Sequence, residues 1–356
     1  MTTEGHDKTA TCSGASMSLN PVAYRGYARP SAGGLSDVLH VCRADWHGIL
    51  SATMALPGHK LLLAPEGAEP AVQDEAAPDA LCQDLEDLGI RAVCFQGFSQ
   101  QADSLARALR RQFGASLPMA AVSHVTTTQF QAPFEIRMQA ALRKAQADGV
   151  LTRLGSVKPG FSMVMPEVWH ETLINFCPVM PMPAPPPSTT GDVLVPVENH
   201  WRKGLYTNLI AALRTPEVQR IHSINTPTHL DLLGDLGRVH VTGFLDRPAL
   251  YALMARVDMV MNVSLAECQP MTQLEAFALG RPCLTGPLGL SEFADDEIIE
   301  RCTVSLVDTP TEAGQKLSEL MSLWARDGAY VQALISDHMT RRHALAEQRY
   351  MEFLEL

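Results

Sequence analysis

Residues 259–280 read MVMNVSLAECQPMTQLEAFALG, and their pattern decides the fold. Met259–Val263 is a short run of almost unbroken apolar character, the mark of a strand buried on both faces. Thr272–Leu279 has helical spacing and stops at Gly280. The loop between them carries Glu267, and the helix carries Glu275, with seven residues separating the two carboxylates. Backbone N–H groups near Gln269–Thr272 then point at whatever sits at the helix N-terminus, a place suited to an anion such as a diphosphate. A carboxylate beside that anion can accept hydrogen bonds from sugar hydroxyls. A second one along the helix can accept them from a ribose.

Outward from this stretch the alternation continues. Asp192–Val197, Arg220–Ile224, Val239–Thr242 and Pro282–Thr285 read as strands, with helices over Gly204–Leu213 and Pro248–Arg256. The first half repeats the plan, with strands at Lys60–Ala64, Ala92–Phe95, Met119–Ser123 and Val150–Leu154, and helices at Gln101–Phe113 and Phe134–Ala147. Pro21–Tyr27 is a candidate first strand, leading through Gly33-Gly34 into a helix over Leu35–Leu56. The alternative places the strand at Asp37–Cys42 and the functional loop at Asp45–Gly48. PVMPMPAPPP, residues 178–187, blocks helix and central strand alike and reads as an extended linker. The expected architecture is α/β: two Rossmann-like, doubly wound domains facing a cleft. The expected bounds are a disordered tail over 1–18, an N-terminal Rossmann-like domain over 19–178, a linker over 179–190 and a C-terminal domain carrying the Glu267–Glu275 stretch over 191–337. A last helix, about 338–356, is expected to pack back on the first domain.

Composition narrows the class. Net charge is −11, with −3 in residues 1–178 and −8 in the rest, so neither half is built to neutralise nucleic-acid phosphates. The eight cysteines form no CxxC pair, which argues for buried thiols rather than a metal site. No apolar run reaches the ~20 residues of a membrane helix, and no signal peptide is evident; a cytoplasmic location is expected. The Arg107, Arg110, Arg111 cluster reads as a solvated helix face.

The Glu–seven residues–Glu spacing between strand and helix resembles glycosyltransferase family 4. VHVTGFLDRPALYALMARVDMVMNVS (239–264) and EAFALGRPCLTGPLGLSEF (275–293) resemble the family's flanking segments. The resemblance covers Asp192–Asp308 well and the first half less so. It implies the GT-B fold and a retaining transfer of a hexose from a UDP- or GDP-sugar to a hydroxyl acceptor, with no metal or other cofactor required. By that resemblance Glu267 contacts the transferred sugar and Glu275 holds the ribose. Gln269, Pro270, Met271 and Thr272 surround the sugar and β-phosphate. In ENHWRKGLYTNLIAAL (198–213), Lys203 matches the family's phosphate-binding lysine, while Glu198 stands near where the family has an arginine; Arg202 is the expected substitute. Cations there would stabilise the leaving diphosphate. Gly33-Gly34 resembles the family's Gly-Gly phosphate loop, and His124, ending the strand MAAVSH, matches a histidine that contacts the donor sugar or a nearby acceptor group.

Two departures, Glu198 and Cys268-Gln269-Pro270 in place of a glycine-containing stretch, keep a second class open: an inactive GT-B homologue acting as a scaffold. A sugar-nucleotide epimerase or a phosphorylase of the same fold is a closer rival. A dinucleotide oxidoreductase ranks low because no GxGxxG follows a strand. A hydroxylated DNA base as acceptor is disfavoured by charge.

Overall fold

The computed structural model describes residues 34–65, 76–185, 188–228 and 237–356. The expected tail over 1–18, the strand Pro21–Tyr27 and Gly33 lie outside them.

Two parallel sheets carry the chain. The first has the order β2-β1-β3-β4-β5-β6, from β1 (Val38–Arg43), β2 (His59–Leu63), β3 (Ala92–Gln96), β4 (Met119–Ser123), β5 (Arg153–Ser156) and β6 (Glu171–Thr172). The second has the order β11-β10-β7-β8-β9, from β7 (Asp192–Val195), β8 (Arg220–Ser223), β9 (Val239–Val241), β10 (Met259–Asn262) and β11 (Cys283–Thr285). Every pairing is parallel. Strand order reverses beside β1 and β3 in one sheet and beside β7 and β10 in the other. Ligands of such sheets bind in the crevice at the carboxyl ends of those strands.

The helix expected over Leu35–Leu56 is instead β1 followed by α1 (His47–Ala55), as the alternative had it. All six residues of β1 are buried, so the strand shows no alternation of burial to distinguish it from a helix. Gly34 accordingly does not sit between a strand and a helix. It precedes β1, beside Arg91 and Leu356 at the amino edge of the sheet, away from the crevice. Helix α2 runs Ala76–Asp87.

Local chemistry fixes the helices that frame the cleft. In α3 (Gln100–Phe113), Ser99 caps the start by accepting from Ala102 N at 3.1 Å, and Gly114 ends it with φ 57°. Arg107 and Arg110 are not merely solvated: they tie α3 to Asp148 and to the Val150 carbonyl, where α4 (Pro133–Ala147) ends. A single helical turn, α5 (Phe161–Val164), follows β5. In α7 (Arg247–Met254), Asp246 accepts from Ala249 N at 2.9 Å and Pro248 opens the first turn.

The last element is a long helix with one break. After α6 (Leu205–Arg214), α8 (Met271–Ala278) and α9 (Glu297–Cys302), α10 runs Pro310–Leu354 with a break at Asp327 (φ −152°, ψ 70°). Asp327 accepts from Tyr330 N at 3.0 Å and so caps the second segment. Leu317, Leu320, Trp324, Val331 and Ile335 pack in the core of the second sheet, whereas Ala346, Tyr350, Phe353 and Leu354 pack with Val38, Ala92 and Cys94 of the first. The helix therefore spans both bodies. The proline segment is pinned along it, with Gln332 Nε2 donating to Pro183 O at 2.9 Å. The seven cysteines among the described residues are buried.

Candidate functional site

The carboxyl ends of β7 and β10 meet at a clamp built by one asparagine. Asn208 of α6 donates to Gly204 O and Val263 O, each at 2.8 Å, and accepts from Val263 N at 3.0 Å. Gly204 is required there: φ is 63°, and a Cβ would come within 2.9 Å of Val263 O. The turn 201–203 is then joined to the loop after β10, Leu265 N donating to Arg202 O at 2.8 Å and Arg202 Nη1 to Ala266 O at 3.2 Å.

This clamp brings Lys203 and Glu267 together. Lys203 Nζ lies 2.5 Å from Glu267 Oε1, with the two side chains 20 % and 12 % exposed. Two residues expected to serve different parts of one ligand thus form an ion pair of their own. Lys158, which follows β5 and was missed in the sequence, donates to Glu267 O at 2.9 Å. Its signal was a lysine ahead of Pro159-Gly160, just past a strand end. The Cys268 thiol donates to His124 O at 3.7 Å, so the carboxyl end of β4 touches the same loop. Burial pushes that thiol up to about 12, which keeps it protonated and unreactive.

His124 itself is neutral. Desolvation lowers its imidazole to about 4. Its Nε2 lies 2.9 Å from Gln96 Oε1, while Gln96 Nε2 faces His40 Nδ1 at 3.3 Å and Cys94 Sγ at 3.3 Å. With the Gln96 oxygen as acceptor, His124 carries its proton on Nε2 and keeps Nδ1 as an acceptor.

The expected sugar-binding run 269–272 divides differently. Gln269 is buried, and its side-chain amide is saturated. It donates to Val157 O at 2.9 Å and Leu173 O at 2.7 Å, and accepts from Asn175 N at 2.8 Å and from Arg342 Nη2. An amide with all four positions filled has none for a sugar, so Gln269 is a fastener between the loop, the first sheet and α10. Met271 packs with Ala52, Cys177 and Leu274 in a small apolar cluster. Pro270 stands at the N-cap of α8 without a side-chain bond, and Thr272, in the first turn, is partly exposed.

Glu275 is buried at 7 % exposure. Its Oε1 accepts from Ser51 of α1 at 2.5 Å and from Tyr251 of α7 at 2.9 Å. Burial raises its carboxyl, and the two hydroxyls and the charge of Arg247 offset part of that rise. The Tyr251 phenol is correspondingly raised, by desolvation first and by the Glu275 charge second. Ser51 and Tyr251 had no sequence signal, since each is a hydroxyl within a mostly apolar helical run and belongs to no motif. Arg247 Nη2 donates to His47 O at 3.3 Å, so α1 closes against α7 and α8 together.

Two parallel sheets facing across such a crevice, with an anion-suited helix start, a cation pair and two carboxylates at the switch point of the second, bring the comparison with known proteins into focus. Residues 217–322 match the family model described as Glycosyl transferases group 1. That segment is a glycosyltransferase domain. It contains Glu267 and Glu275, while Arg202 and Lys203 lie ahead of it. Solved structures give the fold of the whole chain. A sucrose-phosphate synthase from Thermosynechococcus elongatus superposes with TM-score 0.54 at 15 % identity, over 87 % of this chain and 94 % of that one. Anabaena HepE in complex with UDP gives 0.51 at 16 %, over 88 % and 95 %. A UDP-forming α,α-trehalose-phosphate synthase from Burkholderia vietnamiensis gives 0.51 at 10 %, over 90 % and all of that chain. The fold is GT-B. No curated protein matches the sequence significantly. Among the described residues no helix is long and apolar enough to cross a membrane.

Proposed function

We propose that the chain transfers a hexose from a UDP- or GDP-sugar to a hydroxyl acceptor with retention of anomeric configuration. The Lys203–Glu267 pair at the switch point carries this reading. A diphosphate entering the crevice offers Lys203 a stronger partner than one carboxylate oxygen, and the freed Glu267 then accepts hydrogen bonds from the sugar. The pair thus holds both charges in place before the donor arrives, which limits the reorganisation needed at reaction.

In the reaction the bond from the anomeric carbon to the β-phosphate oxygen breaks, and a bond to the acceptor oxygen forms on the same face. The acceptor proton passes to the leaving phosphate oxygen. Lys203 and Arg202 stabilise the negative charge that develops there, more in the transition state than in the ground state. Glu267 stabilises positive charge at the anomeric carbon. Neutral His124, through Nδ1, accepts from a sugar or acceptor hydroxyl, and Thr272 with the first amides of α8 lies by the phosphates. Glu275 receives the ribose on the oxygen not held by Ser51 and Tyr251. The chemistry rests on the protein's own cations.

The test is incubation with a panel of UDP- and GDP-sugars and hydroxyl acceptors. Release of free nucleoside diphosphate is measured, and the product's anomeric configuration is read by NMR. Nucleoside diphosphate release with retained configuration supports the proposal. Inverted product, or release of sugar phosphate instead of nucleotide, contradicts it.

A further inference from the structure

We infer that Lys158, from the first sheet, is a third phosphate-binding cation, so that the donor diphosphate is gripped from both domains. The inference rests on the proposed donor site.

The argument starts from the partners of the charges around the loop 265–268. Lys203 and Glu267 neutralise each other. Arg202 and Lys158 do not meet a carboxylate among the described residues. Arg202 donates to Ala266 O at 3.2 Å and Lys158 to Glu267 O at 2.9 Å, two consecutive main-chain carbonyls. A carbonyl offers a cation only a partial charge, so both side chains retain most of their field. The loop is therefore flanked by two uncompensated positive charges, one rooted after β7 and one after β5. Both charges are felt at the Cys268 thiol, as are those of Lys203 and Glu267.

Lys158 is held at its base, and its tip meets a main-chain carbonyl rather than a carboxylate. Its N–H donates to Ser156 Oγ at 3.0 Å, and the following Pro159 and Gly160 (φ 92°) fix the turn. Gly289, which follows β11, has Pro159 as its neighbour at 3.8 Å from where a Cβ would stand, so this turn abuts the second domain. The ammonium at the end of a four-carbon stem can leave Glu267 O for a phosphate oxygen by side-chain rotation alone. A dianionic group matches two cations that face carbonyls alone, and the diphosphate is the part of a nucleotide sugar with that charge. Since Arg202 and Lys158 belong to different domains, their shared anion favours the closed cleft.

Titration calorimetry of the full chain with UDP, GDP, inorganic pyrophosphate and the nucleosides uridine and guanosine tests the assignment. Lys158→Gln is expected to weaken nucleoside diphosphate and pyrophosphate binding about tenfold or more, and to leave nucleoside binding within about twofold, while Lys158→Arg retains most of the diphosphate affinity. Should the wild type and Lys203→Met differ in diphosphate affinity while Lys158→Gln matches the wild type, the inference fails and the donor site stands. Equal weakening of nucleoside and diphosphate also overturns it, since that marks a change in shape rather than charge. A wild type that binds neither the nucleoside diphosphates nor pyrophosphate overturns the donor site together with this assignment.

Discussion

Glu267 and Gln269 stand two residues apart in one loop and have opposite surroundings. Gln269 is buried and spends its whole amide on Val157, Leu173, Asn175 and Arg342, binding the loop to the first sheet and to α10. Glu267 meets one lysine at its carboxylate and remains partly open. The difference teaches that a rigid site needs both kinds of residue. The saturated amide fixes where the loop runs, and the fixed loop sets where the ion pair points. A polar side chain next to a presumed ligand is therefore not evidence of contact until its hydrogen bonds are counted.

The comparison breaks most sharply at Gln269. Gln269→Leu takes a partner from two carbonyls, one amide and the buried Arg342 guanidinium, which keeps its bond to Asn175 O, at a cost of about 3–5 kcal/mol in stability. Urea denaturation measures it, and a loss under about 1 kcal/mol would mean the fastener is not one. Lys203→Met sits on the other side of the contrast. It is expected to lower kcat by about 10²–10³ through lost stabilisation of the leaving phosphate, with little loss of stability. Steady-state kinetics beside a melting curve separates the two effects.

A smaller effect sharpens the picture at Glu275. Ser51→Ala removes a hydrogen bond to a carboxylate, worth about 1.5–3 kcal/mol of stability. Nucleoside affinity should hold or tighten, because the hydroxyl competes with the ribose for the same group; weaker binding would contradict the ribose role. The smallest effect is that of pH on His124. Its folded value is about 4, below the ordinary 6.5, so the unfolded chain binds more protons between these values. Stability from this group is complete above pH 6.5 and is lost as pH falls toward 4, on the order of 1 kcal/mol by pH 5.5. His124→Gln should flatten that part of the stability profile, and an unchanged slope would assign the loss to other groups.

The fold was legible wherever strand and helix differ in length and pattern. Met259–Val263 and Met119–Ser123 stand out because short apolar runs end abruptly at polar residues. Val38–Arg43 did not stand out. It is buried on both faces and runs within a few residues into α1, so its apolar positions fit a helical period equally well. Of the candidate site, Glu267, Lys203 and His124 were legible by their place in the segments that follow strands, and Glu275 by its place in the helix that follows. Their partners were not, because Lys203–Glu267, Ser51–Glu275 and Asn175–Gln269 join positions far apart in sequence. Gln269 and Met271 were read as ligand contacts from their place in the loop, whereas their surroundings are set by α10, Asn175 and α1.

The most direct test is calorimetric titration of UDP and GDP into the wild type and Glu267→Gln/Lys203→Met, which removes both charges of the central pair while roughly preserving its volume. The account predicts measurable binding of one of the two nucleotides by the wild type and a loss of at least about tenfold in the double variant. Equal affinity in both proteins would contradict the placement of the diphosphate at the switch point of the second sheet.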